Sequence, residues 1–297
     1  MSGYPTALPA SQGRVADLAP GLTAALSFSA TDILLKVVYA SGMDVLTLVS
    51  LRGILSVAFL WLWLRVTPPT AWHPPRQKWI AIGLGVLFAF TMLGLLLAIS
   101  MLPVSIAILA YFIYPLLTGI GAAITGVEKL GWRALLAALA AFGGLALMLG
   151  VNFSALSALG LACAFGAALF RVVSLLGTRA YLSGTDARVT TWYAMVPSTL
   201  LFIMFSLVAG TWNMPQTHWG WVAFIGVSAG STLATLMIYV STNRVGPFRT
   251  AMTMNLEPLV TALLSIGLLG EVLSPAQAVG AGIMIASLCA FQFARGK

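Results

Sequence analysis

The sequence predicts an all-α integral membrane protein in which ten transmembrane helices form two inverted five-helix repeats around a central cavity. Three observations carry that prediction. Mean hydropathy is +1.00, with hydrophobic residues at 60% and charged residues at only 7%, against about 25% charged residues in soluble domains. So few charges cannot make a solvated surface. Next, two apolar stretches match without gaps at a step of 143 positions: Tyr114-Pro115 with Glu257-Pro258, Thr118 with Thr261, Glu128 with Glu271 and Thr47 with Thr190. A fixed period near half the chain signals two copies of one unit. Finally, the basic residues fall in alternate loops, which fixes how the copies are oriented.

Apolar runs of about 18–24 residues can each cross a hydrocarbon core of about 30 Å. Ten such runs occur, roughly over 20–41, 44–65, 79–101, 104–125, 133–150, 157–179, 189–210, 219–241, 250–269 and 276–294. Turn-forming residues separate them: Gly42, the loop from Pro68 to Pro75, Pro103, Gly131, Asn152, Ser183-Gly184, Pro215, Gly246-Pro247 and Pro275. Residues 1–19 read as a polar, Pro/Ala-rich tail without a signal-peptide pattern. The first repeat covers 20–150 and the second 151–297.

Alternate loops collect Arg14, Arg65, Arg76, Lys78, Lys129, Arg133, Arg179, Arg188, Arg244, Arg249, Arg295 and Lys297, while the opposite loops hold no Lys or Arg. The positive-inside rule then puts both termini in the cytoplasm, in a multi-pass protein of the cytoplasmic (inner) membrane. Five helices per repeat is an odd number, so the second copy enters from the other side. The formal charge of +8 is topological and implies no nucleic-acid partner. Cys163 and Cys289 sit in apolar runs without metal-like spacing, and His73 and His218 lie in loops. No metal or cofactor site is expected. HExxH and P-loop patterns are absent from the sequence, which argues against an enzyme.

The run Leu256-Glu257-Pro258-Leu259-Val260-Thr261-Ala262-Leu263, followed by Leu269-Gly270-Glu271-Val272-Leu273-Ser274-Pro275, resembles a signature of the drug/metabolite transporter superfamily. The form it resembles is the ten-helix one with two EamA-type units. Tyr114-Pro115 and Glu128-Lys129-Leu130 occupy the same places in the first copy, and Lys36 and Leu51-Arg52 also resemble family positions. The Trp-Gly pair usual in the first helix is replaced near Ser27-Phe28-Ser29. The resemblance covers nearly the whole chain and implies a secondary exporter. Among members, the pattern is most similar to exporters of aromatic and other neutral amino acids.

Away from helix ends, the charges inside predicted spans are Asp32, Lys36, Arg52, Arg171 and Glu257. Each costs at least about 2.5–3.5 kcal/mol to insert, so each should face protein or a wet cavity. At about 1.5 Å per residue, Arg171 and Glu257 lie roughly 12 Å from the same membrane face and should share a layer. Asp32 and Lys36 stand one turn apart and can pair along the first helix. Such a pair either fixes helix register or lines the cavity.

Helical spacing sets Ala107, Tyr111, Tyr114 and Thr118 on one stripe, and Thr250, Met254, Glu257 and Thr261 on its repeat counterpart. Phe28, Asp32, Lys36 and Tyr39 form a third stripe, and Phe90 and Tyr239 are expected to complete apolar walls. The expected substrate cavity is thus Phe28, Asp32, Lys36, Phe90, Tyr111, Tyr114, Arg171, Tyr239, Met254 and Glu257, with Pro115 and Pro258 as kinks that act as hinges. The expected partners are a small-molecule substrate, an amino acid or similar metabolite, and the lipid bilayer. The expected state is a monomer, a dimer being left open. The alternative is a proton-coupled multidrug or other metabolite exporter.

Overall fold

A computed structural model describes residues 15–128, 131–150, 156–269 and 272–293. Most of the expected N-terminal tail, Lys129, the break at Asn152, Glu271, Arg295 and Lys297 lie outside these residues. The described chain is entirely helical and begins with a short 3-10 turn at Val15–Leu18. The first repeat contributes α1 (Ala19–Ala40), α2 (Val45–Val66), α3 (Pro75–Met101), α4 (Val104–Tyr111), α5 (Tyr114–Ile124) and α6 (Trp132–Met148). The second contributes α7 (Ala158–Tyr181), α8 (Ala187–Ala209), α9 (His218–Val245), α10 (Pro247–Met254), α11 (Leu256–Leu269) and α12 (Pro275–Phe293).

Helix starts follow local chemistry. Prolines, which donate no backbone hydrogen bond and suit a first turn, open α3, α10 and α12. Asp44, Ser157, Asp186 and Thr217 cap α2, α7, α8 and α9 by accepting from backbone N–H groups in the first turn.

Eight segments are long and apolar enough to cross a membrane, counting α4 with α5 and α10 with α11 as one each. The apolar stretches Trp132–Met148 and Pro275–Phe291 are shorter and pack on each other. Of the ten expected spans, eight reach this length; the fourth and ninth are broken within it, and the fifth and tenth are the shorter stretches. The breaks fall at Phe112-Ile113 and at Asn255, again one repeat step apart. Pro115 has no N–H for the Tyr111 carbonyl, nor Pro258 for that of Met254, so each helix loses a rung where its stripe turns inward. The expected kinks are therefore interruptions, placed about one turn before the prolines.

The pairing of helices has the symmetry of the repeat. α1 packs on α9 as α7 packs on α3, α1 meets α11 as α7 meets α5, and α2 with α8 and α6 with α12 form self-matched pairs. Two such copies fit an inverted-repeat membrane protein. The largest core surrounds both breaks and joins Tyr111, Phe112 and Tyr114 to Met254, Leu259 and Met284.

Small residues allow the closest approaches. A Cβ on Gly85 would sit 2.0 Å from the Ala194 carbonyl oxygen, and one on Gly280 would sit 2.5 Å from that of Gly144. The small-residue run of α12 is thus spent on α6 of the same chain. Gly246, at φ +96°, lies under Glu128, whose carboxylate accepts from the Phe248 N–H at 3.0 Å. That bond ties the turn after α5 to the start of α10.

The two ends of the bundle are stitched differently. At one end Asp44 accepts from Thr47 N–H (3.0 Å), Thr47 Oγ1 (2.6 Å) and Asn213 N–H (3.0 Å). Partial burial raises the Asp44 pKa, but these donors outweigh it and hold the carboxyl below its ordinary value. At the other end Thr190, the repeat counterpart of Thr47, contacts His73 Nε2 at 2.8 Å. His73 lies in a loop, as the sequence suggests, yet it is only 8% exposed. Around it Trp72, Trp192 and Tyr193 form an edge-to-face cluster.

Two predictions follow from this packing. Gly85→Ala should destabilise the purified protein by about 1–3 kcal/mol through overpacking, whereas Gly83→Ala, with nothing within 4 Å of its Cβ, should not; thermal unfolding in detergent reads both. Burial lowers the His73 pKa, with Asp186 opposing. The contribution of neutral His73 is therefore complete above its unfolded value of about 6.5 and drains away as pH falls through the depressed folded value. Melting temperature should drop on acidification from about pH 7.5 to about 5, and the drop should be shallower in His73→Gln.

Candidate functional site

The centre of the molecule is where the two broken helices meet α7. Arg171 projects from the middle of α7 with its Cζ 5.8 Å from the Tyr114 ring centroid, and it lies within hydrogen-bonding reach of that tyrosine. Tyr111, Tyr114, Glu257 and Tyr239 all fall within its electrostatic range. Glu257 in turn feels both Asp32 and Arg171. Arg171 and Glu257, which depth counting sets in one layer, lie within electrostatic range of each other.

Each side chain is held by its neighbours. Tyr111, Phe112 and Tyr114 make a three-ring cluster with centroid separations of 5.2–5.7 Å, which fixes the tyrosines at the first break. Asp32 Oδ2 accepts from Thr261 Oγ1 at 2.9 Å, joining α1 to α11. Ser29 Oγ donates to the Glu257 carbonyl at 2.9 Å. The second break is therefore braced by α1 through two side chains one turn apart.

Two adjoining cavities flank this cluster. One, of about 50 Å³, is lined by Phe28 from α1, Arg52, Gly53 and Ser56 from α2, Phe88 and Met92 from α3, Ser198 and Thr199 from α8, and Ser231 and Thr235 from α9. The other, of about 20 Å³, is lined by Phe88, Thr91, Arg171, Ser174, Thr178, Thr235 and Tyr239. Phe88 and Thr235 belong to both. Arg171 Nε, Ser174 Oγ and Thr199 Oγ1 are buried without a partner among the described residues. Buried polar atoms are rarely left unpaired in a folded protein, and these three border the hollow. Its size admits a few water molecules and no larger solute, so any cargo requires the walls to part.

The structure brings together most of the residues the sequence pointed to. Phe28, Arg171 and Tyr239 line the cavities, and Tyr111, Tyr114, Asp32 and Glu257 cluster beside them. Met254 lies in the core packed with the two tyrosines, against them but away from the walls just described. Two positions need correction. Phe90 is 43% exposed and stacks on Phe170; Phe88 faces the hollow instead, because two residues along a helix turn about 200°. Lys36 is exposed on α1 and is absent from both cavity walls.

Sequence reasoning missed the hydroxyls. Ser228, Ser231, Thr232 and Thr235 recur at helical spacing on α9, and several donate to a carbonyl one turn earlier. That habit makes them look like helix filler, yet a hydroxyl stripe on a membrane helix was a readable signal. Arg52, counted among the intramembrane charges, lines the larger cavity and lies in electrostatic range of Tyr39.

Comparison with known proteins agrees with this architecture. No curated protein matches the chain. A solved crystal structure, described only as "Crystal structure of protein", superposes with a TM-score of 0.79 at 18% identity, covering 93% of this chain and 96% of that one; at that identity the likeness speaks for the fold alone. The model of the EamA-like transporter family matches twice, over residues 18–150 and 158–291. With both halves of the chain matched, the protein belongs to the EamA-like transporter family, multi-pass membrane proteins that move small molecules.

Proposed function

We propose that the protein is a secondary transporter that exports amino acids, favouring aromatic and other neutral side chains, by alternating access. The observation that carries this reading is the mixed constellation at the repeat interface: Arg171 in range of Glu257, Tyr111, Tyr114 and Tyr239, with Asp32 on the far side in range of Glu257. A zwitterion needs a cation for its carboxylate and acceptors for its ammonium, and both are within reach here. A guanidinium receives a carboxylate with two parallel N–H bonds, and the unpartnered Arg171 Nε–H is one donor still unspent. The rings and Phe28, Phe88 and Met92 offer the apolar surface that an uncharged side chain requires.

In this reading ten helices span the inner membrane with both termini in the cytoplasm, the orientation supported by the basic residues gathered at one end. The substrate sits at mid-bilayer, and the breaks before Pro115 and Pro258 are hinges about which the helix groups rock. Phe90 and Lys36 drop out of the substrate contacts.

A second reading has its own observation. Asp32 and Glu257 lie in each other's field, a local excess of one negative charge over Arg171 that Arg52 balances only across the larger cavity. A proton can cancel that excess as well as an ammonium can, which suits a proton-coupled exporter of organic cations or other metabolites.

Uptake by proteoliposomes of a labelled panel, run with and without a pH gradient, separates the two. The expected outcome is exchange of phenylalanine, tyrosine and neutral aliphatic amino acids. Movement of organic cations alone, strictly dependent on the gradient, would overturn the amino-acid reading. Arg171→Lys keeps the charge but loses the planar fork, and should lower amino-acid transport roughly ten- to hundredfold in protein whose elution and melting temperature are unchanged.

A further inference from the structure

The α2–α8 pair has a second face, turned away from the cavities. There an open groove of about 330 Å³ runs between the helices, lined by Ile54, Val57, Trp61, Trp192, Val196 and Leu200. Trp61 and Leu200 are 47% and 62% exposed, so the groove opens outward. In a membrane protein that is the lipid.

Three observations identify an occupant. The wall is almost wholly apolar, but the Trp192 Nε1–H is buried and has no partner among the described residues. The ring of Trp192 lines the groove, and a small rotation of it would present that unspent donor to an acceptor lying there. Cations gather at the end where Trp61 and Trp192 stand: Arg65 Cζ lies 5.1 Å from the Trp61 ring, and Lys78 Nζ lies 5.7 Å from the ring of Tyr193, itself 5.1 Å from Trp192. From Trp192 to Ile203 the groove follows α8 for about 16 Å, roughly half of a hydrocarbon core of about 30 Å. That is the depth of one leaflet.

We infer that the α2–α8 groove is a binding site for an anionic phospholipid of the leaflet at the basic end. One acyl chain lies along Ile54, Val57, Val196 and Leu200. An ester carbonyl accepts from Trp192 Nε1–H, and the phosphate meets Arg65 and Lys78. Basic pockets between membrane helices on the positive side have the chemistry for such headgroups. A second copy of the chain is a poorer occupant, since a two-fold contact at this face would set Arg65 and Lys78 against their own images. The site is separate from the proposed substrate path, although Thr199 borders both the groove and the larger cavity.

Native mass spectrometry of the detergent-purified protein, with phosphatidylglycerol and phosphatidylcholine of identical chains, tests the assignment. Phosphatidylglycerol should be retained in preference, and Arg65→Gln or Lys78→Gln should each weaken retention roughly fivefold. Trp192→Phe should weaken it while keeping the ring. Leu200→Trp, at an exposed position, should fill the groove and displace lipid from a protein of unchanged melting temperature. Arg76→Gln, at the same end but away from the groove, should change nothing. Equal retention of both lipids, undiminished binding in Leu200→Trp, an equal loss in Arg76→Gln, or a dimer that forms in place of lipid binding would each overturn the inference. None of these outcomes depends on which solute is carried.

Discussion

The guanidinium of Arg171 is the constraint around which the centre of the protein is arranged. A cation half-way along a membrane helix cannot be left in hydrocarbon, so neighbouring elements must supply negative charge and ring faces. Here they come from both repeats: Tyr114 and Tyr111 from the first broken helix, Glu257 from the second, Tyr239 from α9. Removing one partner of such a buried arrangement leaves the other uncompensated, so the group is held as a unit. The same property suits it to a solute that brings charges of its own and exchanges them with the cluster.

The repeat explains how a chain with so few charges assembles such a site from one pattern used twice. Counterpart helices interrupt at counterpart positions, Phe112 and Asn255, and counterpart pairs of long helices clasp each other. Symmetry is approximate where function is not shared. The first copy places tyrosine before its proline and the second places glutamate, so the paired stripes bring aromatic surface from one side and charge from the other. The ends of the bundle diverge in the same way. Thr47 works with Asp44 and Asn213, whereas Thr190 works with His73, which ties the second end to a group that titrates in mild acid.

Much of this was legible in residue order, for identifiable reasons. Spans are written in composition because the bilayer forbids charge over long runs, and the step linking Tyr114-Pro115 to Glu257-Pro258 reveals the duplication without any tertiary information. That Arg171 and Glu257 belong to one layer follows from depth counting, since helix rise is nearly constant. What could not be read is azimuth. Phe90 and Phe88 differ by two residues and look alike in sequence, but packing of α3 on α7 and α8 decides which one points inward. Most hydroxyls of α9 bond their own helix, which disguised a stripe that spacing alone could have revealed. His73 has turn-like neighbours and still folds under the α8 start, because its partner Thr190 is more than a hundred positions away.

The bond from Glu128 to the Phe248 N–H links a turn of one half to the first peptide of a broken helix in the other. Since Gly246 beneath it leaves no room for a side chain, the joint is tight as well as polar. A displacement of the turn after α5 is thus resisted by the first turn of α10, through a charge-assisted hydrogen bond worth about 1.5–3 kcal/mol that must break before the two separate.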